Sequence, residues 1–91
     1  MEYANKYPEA ANSLYEWYHD ILKLELNNFN ELKNIYSSAS IIGDNRVVFN
    51  IKGNQYRLIV RVIFDYKTIQ IKWFGPHKDY DRINAKSIQL K

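Results

Sequence analysis

The stretch RVVFNIKGNQYRLIVRVIF, residues 46–64, decides the fold because its apolar residues recur at every second position on both sides of Gly53-Asn54. A period of two is typical of a β-strand with one buried face, and Gly-Asn between two such runs is typical of a tight hairpin turn. A second turn is predicted over residues 65–68, and a third strand, Ile69–Phe74, ends at Gly75-Pro76 because proline cannot continue a central ladder. This half of the chain therefore predicts an antiparallel meander of three or more strands.

Helices are predicted before and after the sheet. The apolar residues from Ala10 to Leu22 recur at three- and four-residue spacing, which is typical of a helix with one buried stripe. A second, shorter helix is predicted over residues 29–36, followed by a loop over residues 37–40. After Gly75-Pro76, residues 77–83 are predicted to form one or two helical turns.

This order of elements is that of an α+β domain. We predict a single domain over residues 1–91, with a helical part over 1–36 and the sheet and short C-terminal helix over 40–85. The two N-terminal helices are expected to pack on one face of the antiparallel meander and to leave the other face to solvent or a ligand. A chain of 91 residues has no room for a second core.

The two turns fix which side chains share a face of the sheet. The first turn places Arg46 opposite Arg61, and the second places Arg61 opposite Lys72 and Val60 opposite Trp73. Both registers give a core face that carries Val47, Phe49, Ile51, Tyr56, Leu58, Val60, Val62, Phe64, Ile69, Ile71 and Trp73. The opposite face, called the outer face below, carries Arg46, Asn50, Lys52, Arg57, Arg61 and Lys72, with Val48, Ile59, Ile63 and Phe74 among them. Trp73 is therefore predicted to be a core residue rather than a platform for a nucleobase.

A row of like charges is predicted across the outer face, formed by Arg46, Arg61 and Lys72. Like charges directly opposite one another destabilise a pair of strands, and a bound anion would relieve the repulsion. Phosphate is the anion that suits the planar fork of arginine best. The alternative is that the cations spread into solvent, partly covered by acidic helix residues. A shift of the register by one residue would also exchange the two faces.

The charges divide the chain into an acidic and a basic part. The net charge is +3, seven of the ten acidic residues lie at or before Asp44, and all four arginines follow it. The absence of cysteine excludes disulfides, thiolate metal sites and a cysteine nucleophile. No apolar run reaches the roughly 20 residues that a membrane span needs. The chain shows no secretory signal at its start, so a cytoplasmic protein is expected.

A compact group of reactive side chains follows the last strand, in the run His77–Arg82. His77 and Tyr80 fall within one helical turn, and the end of the strand is expected to place them near Arg57 and Asn50. Histidine can act as a general acid or base, and tyrosine as an acid or a hydrogen-bond donor. The alternative is a capping turn with Tyr80 packed on the sheet.

Two stretches resemble the HigB-type toxins of the RelE/ParE superfamily: SIIGDNRVVFNIKGNQYRLIVRV, residues 40–62, and IKWFGPHKDYDRI, residues 71–83. The combination of Phe-Asn-Ile-Lys-Gly-Asn with His-Lys-Asp-Tyr-Asp is specific. The helical part is similar to the family more loosely, through residues 6–9 and 31–33, and the resemblance covers most of the chain.

The resemblance implies a RelE-like fold and the toxin of a type II toxin–antitoxin system. Such a toxin inhibits translation as a ribosome-dependent, metal-independent mRNA interferase that cuts mRNA in the ribosomal A site. Its implied partners are mRNA, the ribosome and a HigA-type helix-turn-helix antitoxin, with operator DNA bound only through the toxin–antitoxin complex. No cofactor, metal or membrane partner is expected.

Cleavage of RNA through its ribose 2′-hydroxyl needs a base, an acid and positive charge at the crowded phosphate. The expected catalytic residues are Arg57 and Arg61 at the phosphate, with His77 and Tyr80 as the acid–base pair in either order. The expected products are a 2′,3′-cyclic phosphate or 3′-phosphate and a 5′-hydroxyl, and DNA is expected to resist. Arg46, Asn50, Lys52 and Lys72 are expected to hold the RNA.

Two other functions fit the same residues. One is a non-catalytic RNA- or ribosome-binding module that uses the outer face, and the other is an interaction domain whose exposed sheet edge pairs with a partner strand.

Family members begin with an additional strand of the kind Met-Arg-Ile-Ile-Ser, whereas this chain begins with Met1-Glu2-Tyr3-Ala4, close to the first helix. We expect that strand to be absent or to precede this sequence, which would leave a sheet edge for the antitoxin or another copy.

Overall fold

The computed structural model describes residues 5–88 of the chain. Its helices are α1 (Ala11–Leu22), α2 (Phe29–Ile35) and α3 (His77–Tyr80), with 3-10 turns at Pro8–Ala10 and Phe64–Tyr66. Its strands are β1 (Ser40–Ile42), β2 (Arg46–Ile51), β3 (Tyr56–Ile63) and β4 (Thr68–Pro76).

The strands form one antiparallel sheet in the order β1-β2-β3-β4, which confirms the predicted meander and the mixed α+β class. The predicted loop over residues 37–40 is wrong at Ser40, where β1 begins and pairs with Val48. The expectation that an additional N-terminal strand is absent or precedes this sequence concerns the start of the chain, where residues 1–4 lie outside the described residues.

A side-chain cap sets the start of α2. The Asn28 side chain accepts a hydrogen bond from the Glu31 amide at 3.0 Å, and the Glu31 carboxylate accepts one from the Asn27 amide at 2.8 Å. The first contact satisfies a backbone N–H group that the first turn of a helix leaves without an intrahelical partner, and the second ties the residue before the cap to the same turn. The cap therefore fixes where α2 begins, and Leu32 of this helix is fully buried.

Aromatic contacts fix the helical part on the core face. The Trp17 ring on α1 meets Phe49 of β2 edge-on at 5.2 Å between centroids, and Tyr36 meets the same ring at 5.1 Å. Trp17 is 6% exposed, so it is one of the residues of the stripe from Ala10 to Leu22 that reach the core. Phe29 of α2 meets Phe64 at the end of the β3–β4 hairpin at 4.8 Å, so the helical part contacts both the β2–β3 and the β3–β4 hairpins.

The β2–β3 hairpin, called the first hairpin here because it was the first one predicted, has the predicted register. Phe49 pairs with Leu58 and Arg46 with Arg61. The turn places Lys52 and Gly53 at positive φ angles of 53° and 64°, a backbone region that glycine enters without a steric penalty. The Gly-Asn signal therefore fixed both the position of this turn and the faces of β2 and β3.

The second hairpin has a different register from the predicted one. The 3-10 turn Phe64–Tyr66, closed by Lys67 at a φ of 52°, replaces the predicted two-residue turn. Arg61 therefore pairs with Gln70 rather than with Lys72. This shift of two residues keeps the faces of the strands but removes Lys72 from the predicted row of charges.

A β-bulge then exchanges the faces of β4. Val60 pairs with Ile71 and Ile59 with Trp73, which leaves Lys72 as an extra residue in β4. A side-chain period of two means that one extra residue exchanges the two faces beyond it. The predicted core position of Trp73 is therefore wrong, because Trp73 lies on the outer face while Phe74, predicted there, is 2% exposed in the core.

One ionisable pair joins the helical part to the first hairpin. The Tyr56 hydroxyl donates a hydrogen bond to the Glu9 carboxylate, just before α1. This bond lowers the pKa of Glu9 and raises the pKa of Tyr56 to about 12, because it favours the ionised acid and the protonated phenol. The pair therefore stabilises the fold above the usual titration range of glutamate, and the stabilisation is lost as pH falls through the lowered pKa of Glu9. It is also lost in strong alkali, as pH rises through the raised pKa of Tyr56.

We expect Tyr56→Phe to lower the urea midpoint at pH 7, because it removes the donor and keeps the ring that stacks on Phe74. The difference from the wild type should shrink toward zero at a pH below the lowered pKa of Glu9, where the unfolded and folded carboxyls are both protonated. Urea titrations followed by far-UV circular dichroism from acid to neutral pH measure both effects. Tyr15→Phe, on the exposed side of α1, is the control, and a pH-independent difference for Tyr56→Phe would contradict this role.

Candidate functional site

Four of the predicted site residues meet at one end of the outer face. Arg57 of β3 lies between Asn50 of β2 and Gly75 of β4, and α3 begins directly after β4. The guanidinium carbon of Arg57 lies 6.0 Å from the centre of the Tyr80 ring, within cation–π range. The structure therefore places Arg57, Asn50, Tyr80 and His77 at the same end of the sheet.

The backbone around Gly75-Pro76 holds α3 against β3. The His77 amide donates a hydrogen bond to the Gln55 carbonyl at 2.9 Å, so the ladder reaches the residue at which α3 starts. The His77 Nε2 atom lies 3.6 Å from an Asp81 carboxylate oxygen, one helical turn later. The imidazole is 44% exposed, so solvent or a ligand can reach it, and Asp81 is positioned to orient the ring.

Backbone carbonyls fix the Arg57 side chain. Its Nη1 atom donates hydrogen bonds to the carbonyls of Asn54 at 3.2 Å and Tyr56 at 3.3 Å. Both contacts use one terminal nitrogen of a guanidinium that has five N–H groups in all. Arg57 is therefore oriented by the first hairpin while the rest of its fork can bind an anion.

Arg61 is not part of this cluster. It lies four residues further along β3, about 13 Å away at the usual rise of a strand, with the fully buried Ile59 between them. Its Nε atom donates to the Asp44 carbonyl at 3.3 Å, and its Nη2 atom lies 3.8 Å from the Asp44 carboxylate. The two arginines are therefore held by different neighbours at different points along β3.

Arg46 departs most from the prediction. Instead of facing solvent it is 2% exposed, and its Nη1 atom donates to the carbonyls of Ala85 at 3.0 Å and Ile88 at 2.6 Å. Its Nε atom has no hydrogen-bond partner within residues 5–88 and lies 3.8 Å from Asp44. The predicted row of Arg46, Arg61 and Lys72 is therefore wrong, because the segment 85–88 covers its first member and the shifted register removes its third.

The other two predicted cations lie at a turn and at the bulge. Lys52 lies in the first hairpin turn, and its charge helps to lower the pKa of Glu9, after the larger effect of the Tyr56 hydrogen bond. Lys72 is the partly exposed extra residue of β4. Both side chains are partly exposed, and the effect of Lys52 on Glu9 places the charge of Lys52 near the residues that precede α1.

A separate groove of about 520 Å³ lies on the far side of the molecule, between the end of α1 and the β3–β4 hairpin. Its lining is mostly apolar, and the Arg57 cluster takes no part in it. The basic outer face matches an anionic substrate better than this apolar groove does. Among residues 5–88, no group of three or more His, Asp or Glu side chains could hold a metal ion, and no helix is long and apolar enough to cross a membrane.

Comparison with known proteins identifies the family. Residues 10–83 match the model of the HigB toxin family, described as the RelE-like toxic component of a toxin–antitoxin system. This chain belongs to the HigB toxin family. The mRNA interferase toxin HigB of Escherichia coli K12 is 30% identical over 84 residues, which cover 90% of this chain and 81% of that protein. The proteins called mRNA interferase HigB from Escherichia coli O157:H7 and Shigella flexneri match with the same identity and coverage.

We expect Arg46→Ala to destabilise this HigB-family protein by about 3 kcal/mol or more, because it removes two hydrogen bonds from a charged group, each worth about 1.5–3 kcal/mol. Arg82→Ala is the matched control, since Arg82 is exposed, and its effect should stay within about 0.5 kcal/mol. Urea unfolding measures both. Equal effects of the two substitutions would contradict the burial of Arg46 under the segment 85–88.

Proposed function

We propose that this chain is the toxin of a type II toxin–antitoxin system and cuts mRNA on the ribosome without a metal ion. The observation that carries the proposal is the cluster of Arg57, Tyr80 and His77 at one end of a basic sheet face. It occurs in a chain of the HigB family, whose relatives are called mRNA interferases.

The proposed reaction is attack of a ribose 2′-hydroxyl on the adjacent phosphate. Arg57 stabilises the charge that develops on the phosphate, and its attachment to two backbone carbonyls fixes it in advance. His77 and Tyr80 form the acid–base pair in either order. The products are a 2′,3′-cyclic phosphate or 3′-phosphate and a 5′-hydroxyl, and a strand without the 2′-hydroxyl is not cut.

The remaining outer-face residues hold the RNA on either side of the cleaved bond. Asn50 faces Arg57 across the ladder, and the partly exposed Lys52 and Lys72 add positive charge to the surface that the RNA crosses. Arg61 takes a second phosphate further along the strand, as its separation from Arg57 requires. Arg46 acts indirectly, by holding the segment 85–88 over the same face.

The proposed partners follow from the family. A toxin of a toxin–antitoxin system has an antitoxin as its partner. We take this antitoxin to be a HigA-type helix-turn-helix protein, through which the complex binds operator DNA. The target is mRNA in the ribosomal A site, which places the protein in the cytoplasm. The acidic helical part is turned away from the outer face, so it does not repel RNA that approaches the basic side.

We expect cleavage of mRNA when the protein is added to translating ribosomes and the 5′ ends of the message are mapped. His77→Ala should reduce cleavage about 10²- to 10⁴-fold, the usual contribution of a general acid or base. His19→Ala is the matched control, because the second histidine of the chain is exposed on α1, and it should cleave normally. Equal activity of both variants would remove His77 from the mechanism.

Two further measurements separate the competing functions. A message with a 2′-deoxyribose at the cut position should resist cleavage, and the cut message should carry a 5′-hydroxyl. Binding to ribosomes without any cut would identify a non-catalytic module on the same face. If Arg57→Glu and Arg61→Glu also left ribosome binding unchanged, an interaction domain that works through its sheet edge would be favoured.

A further inference from the structure

Trp73 is held beside the Arg57 cluster by an interruption of the β-ladder. Without the extra residue Lys72, the alternation of β4 would send the tryptophan to the core face. The bulge places it opposite Ile59 on the outer face, where it is partly exposed. Bulges often re-aim a side chain next to a functional site, so this one raises the question of what the indole contacts.

Gly75 makes room for the indole. A Cβ atom at Gly75 would lie 2.8 Å from two atoms of the Trp73 ring, too close for any side chain, so the ring rests against the glycine backbone. Gly75 is also the residue that pairs with Arg57. The indole therefore packs over Gly75, which lies next to Arg57. Arg57 is the residue to which we assign phosphate binding.

Tyr80 forms the other side of this surface. Its ring centre lies 6.3 Å from that of Trp73, with the planes inclined by 50°, so the two rings are tilted rather than stacked on one another. The same tyrosine contacts Arg57. An aromatic ring beside a cation is the usual combination for single-stranded nucleic acid, in which the cation takes the phosphate and the ring takes the base.

We propose that Trp73 stacks on a nucleobase of the RNA next to the phosphate bound by Arg57. The proposal rests on the proposed function, because it assumes that RNA occupies this face. It assigns Trp73 to binding and not to proton transfer. A purely structural role, in which the indole only covers Ile59, is the competing explanation and requires only bulk at this position.

The experiment uses the fluorescence of Trp73. The chain has two tryptophans, and Trp17→Phe leaves Trp73 alone; the substitution suits the core because the buried Trp17 Nε1 atom has no hydrogen-bond partner within residues 5–88. The probe is a short single-stranded RNA with 2′-O-methyl groups, which cannot be cut through the 2′-hydroxyl. We expect saturable quenching of the emission by this RNA and none by an oligomer of equal length made of abasic sugar-phosphates. Failure of the RNA to quench, or equal quenching by both, would overturn the proposal.

Affinity provides the second readout. Stacking of a base on an aromatic ring is worth about 1–3 kcal/mol, so Trp73→Leu should raise the dissociation constant for the RNA about 5- to 150-fold, while Trp73→Phe should recover most of the affinity. Leucine and phenylalanine both cover Ile59, so a structural role predicts equal affinities. Should Trp73→Leu fail to fold, the quenching experiment decides the question alone.

The two proposals fail separately. Cleavage of ribosome-bound mRNA by the wild type, together with unchanged affinity of Trp73→Leu, would overturn the stacking and leave the proposed function intact. Quenching by RNA in a protein that never cuts mRNA would support the stacking and overturn the proposed cleavage.

Discussion

A β-ladder that alternates without interruption sends every second side chain to the same face, and β4 departs from this rule at Lys72. On one side of the bulge, Ile69 and Ile71 point to the core, and on the other side Phe74 takes over that role. The same change turns Trp73 outward and aligns Gly75 with Arg57. The bulge therefore determines both how the last strand fills the core and which residues surround the candidate site.

The outer face is divided by what covers it. At one end, the buried Arg46 holds the carbonyls of the segment 85–88, and an arginine buried in this way needs such acceptors because an unpaired buried charge is costly. At the other end, Arg57 and α3 stay accessible. Arg46 thus contributes to the shape of the face rather than to its accessible charge, and the net charge of the chain alone would not reveal the difference.

The sequence predicted the elements and the first hairpin well, because the signals were local. The apolar stripe before Leu22, the period of two after Arg46 and the Gly-Asn turn each lie within a short window. The predicted register of the second hairpin was wrong because no comparable turn residue marks residues 64–67, where a lysine takes the left-handed conformation. An error of this kind passes to every residue of the strand that follows.

The candidate site was predicted in part for the same reason. Arg57 contacts Tyr80, and His77 lies on the same short helix, because their positions depend on the first hairpin and on the Gly75-Pro76 strand end, both of which the sequence marks. The burial of Arg46 could not be predicted, since it depends on a C-terminal segment without any periodic pattern. The face on which Trp73 lies could not be predicted, because it depends on the bulge and no residue type in β4 indicates one.

Preorganisation explains why the cluster lies where it does. Two of its members are attached to a rigid neighbour: Arg57 to the Asn54 carbonyl in the first turn, and the His77 backbone to the Gln55 carbonyl. Groups that are fixed before a substrate arrives lose little conformational freedom on binding, and they can stabilise developing charge without rearranging. In the proposed reaction, this matters most for Arg57. A flexible cation would move to bind the phosphate before the reaction as well as in the transition state, and equal binding of both does not speed the reaction. The end of the sheet at which the turn between β2 and β3 meets the start of α3 is thus the part of this small fold best able to hold the groups that the proposed reaction needs.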